Sequence, residues 1–255
     1  MRITRLIPAL ATAALSVVAL APTATAQTPA PAPAPAAAPA AERASGAAEG
    51  RAALPIIGGG YASNAPWAAR LFSNGRQTCS ASIIAPTWIL TAKHCVTGGG
   101  LSFRIGSLDQ TSGGISANAS AVHNHSSSDL SLVKLDRSVT ATYARLGQPG
   151  SVSVNQTVQV YGWGATSQCG SEINCQSRYL KVANVIVSGA CRDAYNGTAI
   201  CARRGDGITA GGDSGGPMMA NGIQVGVAST SDRQTITAYT NVTAYRSWIQ
   251  SLAGV

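Results

Sequence analysis

Three short segments of the 255-residue chain carry residue types that together can perform nucleophilic catalysis. A serine hydroxyl is a weak nucleophile at neutral pH, so it needs a base that takes its proton and a third group that orients that base. Imidazole suits the base because its pKa lies near neutrality, and a carboxylate can fix its tautomer. The segments that supply these groups are Thr91-Ala92-Lys93-His94-Cys95, Asp129–Leu135 and Gly211–Pro217. They predict Ser214 as the nucleophile, with His94 and Asp129 as its partners.

Each of these residues also has a simpler interpretation. Ser214 could stand in a glycine-rich turn, and His94 could be a histidine of the core. Asp136 competes with Asp129, but it follows the apolar run Leu130–Leu135 instead of opening it. His123 and His125 precede Asp129 closely, yet a metal site would need more ligands at defined spacing. We expect surface histidines there, and no metal or cofactor.

The elements that must position these residues read as strands. The runs are short, β-branched and separated by glycine-rich turns. One helical pattern stands out, in which Val242, Tyr245, Ile249 and Leu252 follow a possible cap at Asn241. Together these features favour an all-β sandwich or a pair of barrels with one terminal helix. The predicted strands are Ser82–Leu90, Leu130–Leu135, Thr157–Trp163, Leu180–Val187, Ile223–Ala228 and Ile236–Val242.

In these segments, and in the order His, Asp, Ser, the chain resembles the trypsin/chymotrypsin family of serine proteases. Three further motifs are similar to those of the family: Ile56-Ile57-Gly58-Gly59, Gly162-Trp163-Gly164 and Tyr239-Thr240-Asn241-Val242. The resemblance spans residues 56–255. It implies an all-β fold of two six-stranded antiparallel Greek-key β-barrels with a C-terminal α-helix.

The resemblance also implies a role for each site residue. His94 would be the general base and acid, Asp129 its orienter and Ser214 the nucleophile of an acyl-enzyme mechanism. The N–H groups of Gly212 and Ser214 would form the oxyanion hole, next to glycines that allow close approach. Ile56, as a new amino terminus, would pair with Asp213.

The resemblance places substrate-binding residues as well. The segment Ser229-Thr230-Ser231 would pair with an extended peptide substrate. The position six residues before the nucleophile, which forms the pocket floor, is Ile208, and an apolar floor cannot neutralise a buried Lys or Arg. Side chains at Ser231 and Thr237 should narrow the pocket. We therefore expect a small or medium apolar residue before the scissile bond, with trypsin-like specificity as the alternative if Asp206 reaches the pocket.

Six cysteines behind an export signal indicate three disulfides. The resemblance implies the pairs Cys79–Cys95 and Cys191–Cys201, which leaves Cys169–Cys175 as the third. A cysteine that many family members have four residues before the nucleophile is Ala210 here. Its partner is also missing, so the pocket walls lack that bridge.

The amino-terminal quarter of the chain differs from the rest. Residues 1–26 read as a signal peptide, with Arg2 and Arg5 before an apolar run and Ala24-Thr25-Ala26 at its end. Residues 27–55 read as a Pro/Ala-rich pro-segment, and residues 56–255 as the protease domain. We expect a secreted, extracellular protein without a membrane anchor. Pro55 is an unusual residue before an activation site.

The distribution of charge argues against a nucleic-acid partner. The chain has a formal charge of +8; without residues 1–55, 14 basic and 8 acidic residues leave +6. These charges are scattered, whereas nucleic-acid binding needs a clustered basic face. The expected partners are protein or peptide substrates and protein protease inhibitors, with a monomeric enzyme. A catalytically inactive binding protein on the same fold and an esterase or lipase stay open as alternatives.

Overall fold

A computed structural model describes residues 56–255. The predicted signal peptide and pro-segment, residues 1–26 and 27–55, lie outside these residues. Among the helices that are described, none is long and apolar enough to span a bilayer.

Antiparallel strands form the whole framework. Two short strands, β1 (Ile57–Gly58) and β2 (Gly60–Tyr61), come first. The next six close into a barrel in the order β3-β4-β5-β8-β7-β6, in which β6 lies beside β3, as in a Greek key. Their bounds are β3 Ala68–Ser73, β4 Arg76–Ala85, β5 Trp88–Thr91, β6 Leu101–Ile105, β7 Ile115–Asn124 and β8 Ser131–Leu135.

A second barrel of six antiparallel strands follows in the chain. Its strands are β9 Thr157–Gly162, β10 Lys181–Arg192, β11 Thr198–Arg204, β13 Pro217–Ala220, β14 Ile223–Ser231 and β15 Ile236–Asn241, and β12 (Gly207–Ile208) pairs with β1. Their order is β9-β10-β11-β15-β14-β13, closed by the pairing of β13 with β9, while β2 adds to β10. The two six-stranded barrels confirm the predicted fold class.

The predicted terminal helix has two parts. A 3-10 helix at Val242–Tyr245 is capped by Asn241, whose Oδ1 accepts the Thr243 N–H at 3.0 Å. The α-helix α1 then runs over Arg246–Ala253 and ends at Gly254, which has a φ of 76°. Two shorter 3-10 helices cover Lys93–Val96 and Glu172–Asn174.

Each barrel buries its own apolar core. In β6, Leu101, Phe103 and Ile105 are buried and alternate with half-buried residues, as expected of a strand with one face inward. The helix packs its buried Ile249 against the core of the first barrel, although it follows the second barrel in sequence. This contact helps to hold the two halves of the chain together, so that loops from both can meet in one site.

Candidate active site

His94 and Asp129 come from neighbouring strands of the first barrel and form a direct pair. The histidine lies in the 3-10 helix that follows β5, and the aspartate lies two residues before β8. His94 Nδ1 is 2.7 Å from Asp129 Oδ2, and the His94 backbone N–H donates to Asp129 Oδ1 at 3.0 Å. The imidazole is one-third exposed and the carboxylate is fully buried. This geometry fixes the ring with its Nε2 edge available to a reacting group.

Residues of the second barrel hold the buried Asp129 carboxylate from behind. Ser229 Oγ donates to Oδ2 at 2.7 Å, and the Asp129 backbone N–H donates to Asp193 Oδ2 at 2.9 Å. Burial raises the pKa of Asp129, but the hydrogen bonds from His94 and Ser229 outweigh it, so the pKa lies below its ordinary value. Asp129 is therefore ionised at neutral pH. Asp193 was not singled out in the sequence, because a lone Asp in a turn carries no catalytic pattern.

Ser214 lies in the loop between β12 and β13 and faces the same cavity as His94. The cavity has a volume of about 310 Å³. Among residues 56–255, no direct hydrogen bond joins Ser214 Oγ to the imidazole. Such bonds are often long in substrate-free enzymes and tighten when substrate binds. The structure thus places His94 and Ser214 at one cavity and buries Asp129 behind His94, to which it is bonded directly.

The loop before Ser214 presents two free backbone donors. Gly211 N–H donates to Glu172 Oε2 at 2.9 Å, Asp213 N–H donates to the Ala210 carbonyl at 3.0 Å, and Gly215 N–H donates to the Ala228 carbonyl at 2.9 Å. In contrast, the N–H groups of Gly212 and Ser214 have no acceptor within the part of the chain that the structure describes. Gly212 has a φ of 101°, a conformation that favours glycine. Two unpaired donors beside a serine hydroxyl can stabilise a developing oxyanion.

The sequence model of the trypsin family matches residues 56–249. The chain belongs to the trypsin family of serine endopeptidases. Trypsin delta of Drosophila melanogaster is 31% identical over 224 residues, which cover 78% of this chain and 88% of that protein. Brachyurin of Leptuca pugilator is 33% identical over 226 residues, which cover 78% and 99%. Among solved structures, human heparin binding protein superposes with a TM-score of 0.65 at 26% identity, covering 77% of this chain and 96% of that one.

In this trypsin-family member, Ile208, the residue predicted to form the pocket floor, lies away from the cavity. Ile208 is fully buried and pairs with Ile57, and it does not line the cavity. Thr209 lines it instead, because adjacent residues of an extended chain point in opposite directions. Thr209 Oγ1 lies 2.7 Å from the hydroxyl of buried Thr237, which stands behind the lining. The cavity lining therefore carries the side chain of Thr209 rather than that of Ile208.

The structure places the other predicted pocket residues both at the cavity and away from it. Ser229, Thr230 and Ser231 all line the cavity, and Ser231 Oγ donates to the Thr209 carbonyl at 2.8 Å. Asp206 does not line it. That carboxylate is exposed, and it accepts the backbone and side-chain N–H groups of Asn184 at 2.7 and 2.6 Å. Asp206 is therefore held outside the cavity in this structure.

Sequence reasoning missed one ion pair at the cavity. Arg233 lines the cavity, and its Nη2 lies 2.9 Å from Oε2 of Glu172. The same carboxylate oxygen accepts the Gly211 N–H. No signal in the sequence joins the two, because they lie 61 residues apart in separate loops.

Disulfides hold the loops that carry these residues. The structure contains Cys79–Cys95, Cys169–Cys175 and Cys191–Cys201, the same three pairs as expected. Cys79 and Cys95 lie beside His94, but both sulfurs are committed to a disulfide, so this group offers no thiolate for a metal. The two predicted activation residues, Ile56 and Asp213, are each fully buried.

Proposed function

We propose that this trypsin-family endopeptidase is secreted and hydrolyses peptide bonds through an acyl-enzyme formed on Ser214. His94 would take the proton from Ser214 Oγ as the oxygen attacks the scissile carbonyl carbon. The resulting oxyanion would accept the N–H groups of Gly212 and Ser214. His94 would then protonate the leaving amine, and a water molecule would hydrolyse the ester by the same steps.

The unpaired N–H groups of Gly212 and Ser214 carry this proposal, because the neighbouring loop amides all have acceptors. An oxyanion is the ligand that two convergent donors beside a nucleophile fit best. The ionised Asp129, held by His94 and Ser229, supports the role of orienter, since it would stabilise the imidazolium that forms during attack.

We further propose a preference for a small or medium apolar residue before the scissile bond. The hydroxyls of Thr209 and Ser231 have partners within the protein: Thr209 pairs with the Thr237 hydroxyl, and Ser231 donates to the Thr209 carbonyl. None of the residues lining the cavity is acidic, so a buried Lys or Arg side chain would lack a counter-ion. The edge Ser229–Ser231 would pair with the substrate backbone as an added antiparallel strand.

Activation is proposed to follow cleavage before Ile56. The new ammonium group would pair with Asp213, whose carboxylate already accepts the N–H groups of Gly164 and Ala210 at 2.7 and 2.9 Å. The buried side chain of Ile56 in the core of the second barrel supports this pairing, since it anchors the terminus near the loop. Protein protease inhibitors that mimic the substrate strand are the expected partners of a monomeric enzyme.

Labelling with a serine-directed fluorophosphonate distinguishes an active enzyme from a catalytically inactive binding protein. The similarity to human heparin binding protein is the reason to test that alternative. The processed protein should be labelled at Ser214 and should hydrolyse peptide amides. The Ser214→Ala variant should lose both, whereas Ser120→Ala, in β7, should keep both. Wild-type protein that folds, begins at Ile56 and takes up no label would refute the proposal. Rapid hydrolysis of lipid esters without peptide hydrolysis would favour the esterase.

A further inference from the structure

Arg70 is a fully buried arginine on β3 that the proposed triad does not use. A buried charge without partners is strongly destabilising, so the hydrogen bonds of the Arg70 guanidinium show which groups stabilise it in the interior. Arg70 Nε donates to Gln110 Oε1 at 2.8 Å. Its Nη1 donates to the carbonyls of Cys79 and Gly212 at 3.2 and 3.1 Å, and its Nη2 donates to Gln176 Oε1. The guanidinium thus joins the first barrel to the loop before Ser214.

These contacts fix the loop peptides that carry the unpaired donor of Gly212. The Gly211 carbonyl and the Gly212 N–H belong to one planar trans peptide, so they point in opposite directions. That Gly211 carbonyl accepts the Ala165 N–H at 2.8 Å and Gln176 Nε2 at 3.4 Å, while Arg70 binds the other end of the Gln176 amide. The next carbonyl, of Gly212 itself, accepts from both Arg70 Nη1 and Ser80 Oγ. Holding both carbonyls toward the protein leaves the Gly212 N–H without an acceptor among residues 56–255.

Charge reinforces this geometry. Burial raises the pKa of Asp213 to about 6, and Arg70 opposes that rise; burial lowers the pKa of Arg70 to about 9, and Asp213 opposes that fall. Lys181, Glu172 and Tyr239 also act electrostatically on Asp213. Unlike Arg70, Lys181 makes no hydrogen bond to the loop. Its Nζ lies 4.4 Å from the centre of the Tyr61 ring and has no hydrogen-bond acceptor within residues 56–255.

We propose that Arg70 is a positioning residue for the oxyanion loop, which acts through Gln176 and the Gly212 carbonyl to aim the Gly212 N–H at the substrate. This inference rests on the proposed function. Arg70 touches neither the substrate nor the reacting atoms, and its effect appears only as the carbonyl oxygen becomes an oxyanion. Lysine cannot replace it, because one ammonium group cannot bind the Gly212 carbonyl and the Gln176 amide in the fork geometry of a guanidinium.

The test uses two variants of the processed, disulfide-intact protein. Arg70→Lys keeps the charge but loses the fork, and Gln176→Leu leaves Arg70 in place but removes the link to the Gly211 carbonyl. Gln176 is half-buried, so the second variant keeps the test open if the first fails to fold. Arg137→Lys is the matched control, since Arg137 is exposed and pairs with Asp136. Active sites are counted by burst titration, so that each kcat refers to folded, reactive enzyme.

We expect kcat of both variants to fall about 10- to 100-fold with KM changed less than about twofold. A peptide trifluoromethyl ketone, which places an oxyanion in the hole, should lose affinity by the same factor as kcat. A non-covalent peptide amide product should keep its inhibition constant, because it makes no oxyanion. Arg137→Lys should match wild type in every measurement.

Unchanged kcat per active site in both variants would overturn the inference, as would equal losses for the ketone and the peptide amide. The latter result would mean that Arg70 shapes the whole pocket rather than the oxyanion hole. Failure of the proposed function is separate, since it would appear as wild-type protein that neither cleaves peptides nor gives a burst.

Discussion

Ser229 Oγ and His94 Nδ1 both lie 2.7 Å from the same oxygen of Asp129, Oδ2. One group comes from the second barrel and the other from the first, so this atom is a junction between the two halves of the chain. Ser229 also accepts the Ala194 N–H at 3.0 Å, which fixes its hydroxyl in the donor direction. The carboxylate that orients the base is therefore itself oriented by a residue that lines the substrate cavity.

Replacing Ser229 by alanine should weaken catalysis without unfolding the protein. The Ser229→Ala variant loses one of the hydrogen bonds that lower the pKa of Asp129 and hold its Oδ2, so we expect kcat to fall roughly threefold to tenfold, the size of about one ordinary hydrogen bond. The measurement is kcat and KM on a peptide amide over pH 5 to 9. Ser120→Ala, which removes a hydroxyl bonded to the Lys134 carbonyl, serves as the control. An unchanged kcat in Ser229→Ala would show that His94 alone orients the carboxylate.

Widening the cavity should change which residue is accepted before the scissile bond. Ser231 is half-buried at the cavity, and its hydroxyl binds the Thr209 carbonyl. Ser231→Gly removes that side chain from the wall, so kcat/KM for a Leu or Phe substrate should rise about tenfold relative to an Ala substrate, the value of one or two methylene groups in an apolar pocket. A peptide panel that varies only this residue gives the ratio directly. A wild-type preference for Arg or Lys would contradict the proposed specificity before any variant is made.

The buried Asp213 should make stability fall as pH rises through the acidic range. Its pKa in the folded protein is about 6, above the ordinary value of 3.8, so between these values the folded state binds more protons than the unfolded state. Stability present at low pH is then lost as pH rises toward 7. In the full-length Ser214→Ala background, adding Asp213→Asn should remove this loss. The gain in unfolding free energy should grow by up to about 3 kcal/mol between pH 4 and pH 7.

Urea unfolding at the two pH values measures this difference. Asp136→Asn is the matched control, because the exposed Asp136 has its pKa lowered to about 2, chiefly by hydrogen bonds from Arg137 and Asn118, so its effect on stability should be nearly the same at pH 4 and pH 7. Its carboxylate supports the fold above its ordinary pKa and stops doing so as pH falls. If the Asp213→Asn variant gains the same amount at both pH values, the carboxylate is ionised in the fold throughout this range.

The strands were predictable because their signals are local, whereas the two-barrel architecture followed from the resemblance to a family. Five of the six predicted strands appear within two residues of at least one end, since β-branched runs between glycine turns allow few other structures. The run Ser82–Leu90 is instead a hairpin, in which β4 ends at Ala85 and β5 begins at Trp88, because Pro86 lacks the N–H that would continue a ladder. His94 and Cys95 could be placed together because one motif carries both.

The supporting residues of the site were not predictable in the same way. Arg70, Gln176 and Glu172 reach the loop before Ser214 from 142, 35 and 39 residues away in sequence. Each looks like an ordinary polar residue until tertiary structure buries it. The prediction of Ile208 rather than Thr209 as the residue that faces the cavity differs from the structure for another reason. The strand register decides which of two neighbouring residues faces inward.

Cleavage directly before Ile56 should control activity. A trypsin-like protease acting on the natural chain would cut after Arg51 and leave four residues, 52–55, attached to Ile56. The Pro55→Arg variant moves a trypsin site to the required bond. After trypsin treatment and addition of a trypsin-specific inhibitor, this variant should show far higher kcat/KM than wild type treated in the same way, because only its new ammonium group can pair with Asp213. Amino-terminal sequencing establishes each start.

The same variant should lose activity at alkaline pH. The α-amino pKa, ordinarily about 8, is raised by pairing with a buried carboxylate, so the ion pair persists below that raised value and is lost as pH rises through it. The pH profile of kcat/KM should therefore fall on its alkaline side, while a parallel chain that retains residues 52–55 shows low activity throughout. Equal activity of the two forms, or a rate that stays constant above about pH 11, would mean that the new ammonium group is not needed to hold Asp213, on which Arg70 and Lys181 already act.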